Sequence, residues 1–399
     1  MAVISTRLRL WAWPALVALG IATSVAFVAA GSANASQAHK ANPSKVYASG
    51  VPTLNQLYKG TYGTPPKSSP PIAKKKFVIF VSCGQSSPGC ADVPDAMRAP
   101  AKLLGWKFQI IDGMLNNDNG WDKGINQAIA ERPDAIVVHG MNCSDVKQPL
   151  ENAKAAHIPV MGLEDVDCSD KYNPGGPAAP LFGIPIEYGP GMPNGGAYFN
   201  EWGKVAADYL IDATQGKAKI IQTVYQSSFG SHQLAGQDAQ LKKCRGCKVV
   251  ARLPFPPGPS LNPGGSMYQQ FGPLLLQHPE ANAVLFNFDT LPITAGLSKE
   301  IVHENRQKSL FVVAGEGTAP ADQLIRQAQG LTADSAHSGN WISWGAADEL
   351  NRYFNHKPAV SEGDGFQIVD KTHNLPARGQ NYEGTINFET QYKKIWHVK

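Results

Sequence analysis

The sequence predicts an α/β chain folded as two doubly wound parallel-sheet lobes, and three observations predict it. Short β-branched runs alternate with amphipathic segments from Phe77 to Leu163 and again from Trp202 to about residue 370, the rhythm of βα units and a parallel sheet. At 399 residues the chain exceeds what one hydrophobic core ordinarily serves. Between the two series, residues 166–197 lose their periodicity around Pro174-Gly175-Gly176-Pro177 and Gly189-Pro190-Gly191-Met192-Pro193, which marks a passage from one unit to the next.

The chain starts with Arg7 and Arg9 ahead of an uncharged apolar run, Leu10–Ala30, and a small-x-small site at Ala33-Asn34-Ala35. That is the layout of a cleaved export signal over residues 1–35, although the run is also long enough for an uncleaved anchor. No later segment is long and apolar enough to span a membrane. Residues 36–75 are rich in Pro, Ser, Lys and Gly and close on Lys74-Lys75-Lys76, which reads as an extended arm ahead of the fold.

The first series places strands at 77–81, 106–111, 135–138 and 160–163, with helices at about 91–104, 121–131 and 145–156. Each strand runs out into small or polar residues: Asp112-Gly113, His139-Gly140 and Glu164-Asp165. Ligand sites of open α/β sheets lie off those ends. The second series places helix 202–214, strand 219–223, helix 233–243, strand 248–253, helix 266–277, strand 283–288, helix 293–305, strand 310–314 and helix 321–329. Thr332–Ser335, a helix at Trp341–Phe354 and short strands around Phe366–Val369 complete it.

Six cysteines fit an oxidising compartment. Their spacing suggests local bridges, Cys83 with Cys90, Cys143 with Cys168 and Cys244 with Cys247; the second would tie loops that follow neighbouring strands. Cys244-Arg245-Gly246-Cys247 also admits a redox or half-metal reading, but no second Cys/His pair stands in ligand register. The formal charge is +4, and +2 without the signal, which gives no electrostatic case for nucleic acid.

Several pieces stand in a recognisable series: AKLLGWKFQIIDG, INQAIAERPDAIVVHGMNCSDVKQPLENAKAAHIPVMGLED, WGKVAADYL, LLLQHPEANAVLFNFD and LFVVAGEGTAP. In this order, across about residues 76–370, the chain resembles the type I periplasmic solute-binding proteins, in the sugar-binding branch related to ribose-binding protein. The resemblance implies two lobes joined by three crossovers, with the ligand between them. The expected division is residues 76–190 plus about 340–360 for the first lobe, 191–339 plus about 361–385 for the second, and 386–399 as a C-terminal tail. It further implies no catalysis, no cofactor, a monomer, a small sugar-like or polyol-like ligand, and delivery of that ligand to an ABC permease in the membrane, or display of the closed form to a membrane sensor.

The resemblance places binding residues at Ser86, Ser87, Asn142, Glu164 and Asp165 in the first lobe, and at Phe229, His232, Gln233, Gln269, Asp289 and Asn340 in the second lobe and the return crossover. Asp289 ends the FNFD strand, where a carboxylate can accept two hydrogen bonds from adjacent hydroxyls; an N-cap of the next helix is its plainer role. The departures point away from an ordinary sugar. Gly89-Cys90 follows Pro88 where aromatics are expected, Glu164-Asp165 stands for Asp-Arg, Ser231-His232-Gln233 replaces an arginine, and Tyr198-Phe199 replaces Asp-Asn. Two arginines lost and an acid gained make the cleft more negative, so a cationic or amine-bearing ligand enters consideration. Stacking would fall to Phe229, Tyr225, Trp121 or Trp341, each of which also suits ordinary core packing.

An enzyme is the principal rival. Gly315-Glu316-Gly317 follows a strand, but Pro320 stands at the third glycine of a dinucleotide fingerprint. No GxxxxGK[ST], HExxH or GxSxG occurs, and the ten histidines form no ligand-spaced pair; His139 reads as a loop residue satisfied by its neighbours. A transcriptional regulator of this fold needs an N-terminal DNA-binding unit, and residues 1–75 read as signal and arm instead.

Overall fold

The computed structural model describes residues 41–399; the expected signal segment and the first residues of the arm lie outside them. In the first lobe β1 (Phe77–Ser82), β2 (Lys107–Asp112), β3 (Ala135–His139) and β4 (Val160–Leu163) form a parallel sheet in the order β2-β1-β3-β4. In the second, β5 (Lys219–Tyr225), β6 (Lys248–Phe255), β7 (Ala283–Leu285), β8 (Phe311–Gly315), β9 (Ala333–Ala336) and β10 (Gln367–Asp370) take the order β10-β9-β8-β7-β5-β6, with β10 antiparallel to β9. Each sheet starts in its interior, adds the next strand on one side and then switches to the other. The crevices at those switch points, off the ends of β1 and β3 and of β5 and β7, are where open sheets hold ligands.

Burial on both faces explains why the strands read as continuous apolar runs. Val78 and Phe80 of β1 pack with Met97 and Ala101 of α2 (Pro88–Leu103). Ile79 and Val81 face the other way, toward Ile125 of α3 (Gly120–Ala130) and Leu150 of α4 (Lys147–Ala155). Each such side chain contributes about 1.5–3 kcal/mol. In the second lobe α5 (Gly195–Ala213) lies against α6 (Ser228–Leu241). A Cβ on Gly203 would stand 2.1 Å from the Gln233 carbonyl oxygen, and one on Gly236 2.0 Å from that of Asn200, so these glycines set the helix approach.

The chain changes lobes after β4, before α10 (Gly339–Phe354) and before β10. Helix α10 belongs with the first lobe: it packs on α2, and Ser343 Oγ donates to the Val93 carbonyl at 2.7 Å. The second lobe also carries α7 (Ser266–Gln277), α8 (Leu297–His303) and α9 (Ala319–Gln327). No helix among the described residues is long and apolar enough to cross a membrane.

Both ends of the described chain differ from the sequence reading. The arm is not simply extended: it carries α1 (Leu54–Lys59), capped by Thr53, with Leu54 and Leu57 buried. The Tyr58 hydroxyl donates to Asp370 at 2.6 Å. The Thr61 N–H then donates to the Phe366 carbonyl and the Gly63 N–H to that of Gly363, each at 2.9 Å. Farther on Ser69 reaches Asp348 at 2.5 Å, and the Ala73 N–H reaches Asn351 at 2.9 Å, both on α10. The arm is thus a fourth strand of chain between the lobes. The expected tail holds α11 (Phe388–Ile395), and Trp396 stacks on Trp344 with centroids 5.4 Å apart. Helix α5 starts seven residues before the expected Trp202, because the Asn194 side chain caps it by accepting from the Ala197 N–H. Tyr198 and Phe199 are therefore helical. Strand β7 stops at Leu285, and Phe288 and Thr290 beyond it line the cleft.

Candidate functional site

The loops at the two switch points face each other and enclose a cavity of about 60 Å³. Its wall is aromatic: Phe199 and Trp202 from α5, Tyr225 from β5, Phe229 from α6 and Phe288 after β7, closed from the first lobe by Leu115. Phe199 and Phe229 stack with centroids 4.4 Å apart and planes 18° from parallel. The Cys83–Cys90 bridge lies in the same wall. Gly140, at φ +70°, lets the backbone pass it, since a Cβ there would stand 2.9 Å from Cys83 Sγ. A second chamber of about 360 Å³ adjoins, lined by Asp92, Asp95, Asn340, Asn381, Glu383 and Glu389 among others. Glu164 and Glu316 line both chambers, one from each lobe.

Three side chains hold the Glu164 carboxylate. His139 Nε2 stands 2.7 Å from Oε2, while the Tyr198 hydroxyl donates to Oε1 at 2.8 Å and His337 Nε2 lies 3.2 Å from it. Burial alone would raise this carboxyl, but His337 and the hydrogen bonds from His139 and Tyr198 outweigh it and hold the group down at about 2. Glu316 differs: burial, and then the charges of Glu164 and Asp334, push its carboxyl well up. Burial lowers His337. Both acids sit at positive φ, 53° for Glu164 and 120° for Glu316. Non-glycine residues hold such angles only where their surroundings fix them.

Besides the Tyr198–Glu164 bond, several hydrogen bonds cross between the lobes around these chambers. Ser87 Oγ and Thr290 Oγ1 are 2.7 Å apart. Asn142 Oδ1 accepts from the Phe229 N–H at 3.1 Å. Asn117 and Asn262 exchange side-chain hydrogen bonds at 3.0 and 3.3 Å, and His232 Nε2 meets Asp170 at 2.8 Å. The lobes are closed on each other.

The expected site residues fall into three groups. Glu164 and Phe229 line the inner chamber and Asn340 the outer one, where its amide donates to Glu389 at 3.1 Å. Ser87, Asn142 and His232 reach across the cleft to the opposite side and are occupied there. Gln233 is tied beneath the wall to Asn287.

Others stand apart from both chambers. Asp289 Oδ2 already accepts from the Thr318 N–H at 3.1 Å and from Thr318 Oγ1 at 2.7 Å, and burial followed by Glu316 raises its carboxyl. It fixes the turn ahead of α9 and does not cap the next helix, α8. Asp165 is buried, and its carboxyl is pushed up. Ser86 is exposed, and Gln269 is exposed on α7 with its amide on the Gly264 carbonyl. Of the stacking candidates, Phe229, Tyr225 and Trp121 line the inner chamber, whereas Trp341 is buried with its Nε1 on the Glu362 carbonyl.

The sequence reading left out Leu115, Trp202, Phe288 and Thr290, met Phe199 only as part of a replaced Asp-Asn pair and Glu316 only in a failed fingerprint, and gave His139 only a loop role. Glu316 carried a legible signal: a strand-ending Gly-Glu-Gly that fits no dinucleotide fingerprint. All three expected bridges form, including Cys143–Cys168, which joins the loops after β3 and β4. Cys244 and Cys247 are joined to each other, so neither thiol is free to ligate a metal. Glu300, His303 and Glu304 also cluster, on α8 and away from both chambers.

Solved structures with the same architecture include a glucose–galactose binding protein from Geobacillus stearothermophilus. It is 15% identical over 76% of this chain and 99% of its own, with TM-score 0.59. The periplasmic binding protein component of the arabinose ABC transporter from Shewanella sp. ANA-3 is 18% identical over 80% and 96%, with TM-score 0.57. An ABC transporter solute-binding protein from Burkholderia graminis, in complex with D-arabinose, is 16% identical over 77% and 99%, with TM-score 0.60. Among curated proteins the sequence has no match. At these identities the structures speak for the fold, and the sequence speaks for the family. The profile of the periplasmic binding protein domain matches residues 78–351, and the chain belongs to that family of non-enzymatic solute-binding proteins.

Proposed function

We propose that this chain is the exported solute-binding component of an ABC importer. It works as a monomer that closes its two lobes on one small ring-bearing solute and hands it to a membrane permease. The single observation that carries the reading is the aromatic-walled cavity at the two facing switch points. Together with the adjoining chamber of about 360 Å³, it gives a small ligand contacts with both lobes, which makes the closed shape depend on the ligand. The solved relatives bound to L-arabinofuranose, D-arabinose, allitol and D-allose make sugar-like and polyol-like solutes the first class to try. The ring of such a solute would lie against Phe229 and Phe199 and donate to Glu164 and Glu316.

A thermal-shift panel of pentoses, hexoses, amino sugars, polyols and amines tests this. A ligand at a hundred times its Kd stabilises by about 2.7 kcal/mol, so the matching solute should raise the Tm by several degrees and Phe229→Ala should abolish the rise. A panel without any shift, on protein unfolded and refolded to strip bound solute, counts against solute binding.

A further inference from the structure

We propose that the solute held between the lobes is a cation: a protonated amine on a ring or another compact apolar body, with the apolar part against the aromatic wall and the ammonium among the carboxylates. The inference rests on the solute-binding reading above and narrows it. Asp92, Asp95, Glu164, Glu316, Glu383 and Glu389 line the two chambers, and no lysine or arginine among the described residues lines either. A neutral polyol both donates and accepts hydrogen bonds, and its site needs free donors as well as acceptors. In this wall the Thr318 and Tyr382 hydroxyls and the Asn340 amide already donate to Asp289, Gln367 and Glu389. An ammonium group only donates, which is what a wall of carboxylates without guanidinium or ammonium partners can use.

Two further observations point the same way. Phe199, Trp202, Tyr225 and Phe229 line the inner chamber, and aromatic rings attract a desolvated cation placed over a face. His337, 2% exposed, lines the outer chamber beside Glu164, and its buried Nδ1 has no hydrogen-bond partner among the described residues.

Glu316 is the group placed to respond. One of its oxygens accepts from the Asp289 N–H at 3.2 Å, and it forms no ion pair among the described residues. The titratable groups around it are Asp92 on α2, Glu164 with its partners His139 and His337, Asp289 after β7, and Asp334 on β9. Burial and this negative company favour the protonated carboxyl in the empty cleft. An arriving ammonium reverses the balance, so its binding releases a proton to solvent.

The test is calorimetric titration of the full chain, stripped by unfolding and refolding, with probes matched in shape and differing in charge: glucosamine against glucose, galactosamine against galactose, and 2-phenylethylamine against 2-phenylethanol. Each is run at pH 7 in two buffers of different ionisation enthalpy. In at least one pair the amine should bind at least tenfold more tightly than its neutral partner, with net proton release. Glu316→Gln, which mimics the protonated side chain and should fold normally, should remove most of that preference and the proton release. Asp92→Asn, on a half-buried face of α2, should reduce the preference severalfold and serves as the second variant. Neutral partners that bind as tightly as their amines, or a preference untouched by both variants, overturn the cation assignment and leave solute binding standing. Failure of every probe here also overturns it, whereas solute binding itself falls only if the broader panel is silent too.

Discussion

The carboxyl group of Glu316, carried by the second lobe, rests on Gly89 in the first turn of α2 in the first lobe, so closely that a Cβ on Gly89 would stand 2.4 Å from it. The contact exists only while the lobes are closed. Gly89 has an ordinary helical backbone, so alanine there favours the helix itself and penalises closure. Gly89→Ala should leave the Tm of the ligand-free protein within about 2 °C and weaken ligand binding about tenfold or more. Small-angle scattering should then show a larger radius of gyration in the presence of solute than for the parent protein. An unchanged affinity would mean that Glu316 moves aside without cost.

Asn142 closes the cleft from the other side. Its Oδ1 accepts the Phe229 N–H, and Asn142→Ala leaves that buried donor unsatisfied in the closed form, at a cost of about 1–3 kcal/mol. In the open form water reaches the same group. The expected outcome is a roughly five- to hundredfold loss of affinity, with a much smaller loss of stability in the ligand-free protein, read by titration calorimetry and thermal melts together.

The arm contributes to the fold. Leu54 is 4% exposed and packs with the second lobe's core. Leu54→Ala should cost about 2–5 kcal/mol of unfolding free energy, as buried leucines do. A chain starting at residue 75 should melt markedly lower than one starting at residue 41. Equal melting temperatures would reduce the arm to a passive leader.

Stability should fall as pH rises. Burial first of all pushes Asp208 up to about 7 and Asp212, Asp322 and Glu349 up to about 8. A carboxyl whose folded value is raised binds its proton more tightly when folded. Its contribution is complete below the unfolded value near 4 and disappears as pH rises through about 7–8. Glu164 has the opposite sign: held at about 2, it stabilises above about 4.5 and loses that contribution as the pH falls toward 2. Thermal melts should therefore peak in mildly acidic buffer and decline between pH 5.5 and 8.5. A Tm that climbs steadily across that interval would show these carboxyls ionised in the folded protein.

Much of this fold was legible because both faces of each sheet are covered. Strands such as Phe77–Ser82 then read as unbroken apolar runs, and turns and helices punctuate them at regular intervals. The positions of the site were legible for the same reason, since strand ends at a switch point are set by topology. The partners of its side chains were not. Asp289 lies past the end of its strand, which stops at Leu285, and Thr318, in the next strand's loop, takes up its oxygen. Phe199 seemed to precede its helix because Gly195 and Gly196 weaken the helical signal, and the Asn194 cap that overrides them is a local hydrogen bond. The arm's lysines and prolines hid Leu54 and Leu57, whose three-residue spacing makes one face of a single turn.

Native mass spectrometry tests closure on one solute most directly. The stripped chain is incubated with the sugar, polyol and amine panel, and the parent protein is compared with Phe229→Ala and Glu316→Gln. Solute binding between the lobes predicts a single adduct of one solute per chain on the parent protein, lost or strongly reduced in both variants. An adduct that persists unchanged in both variants, or no adduct with any member of the panel, would contradict it.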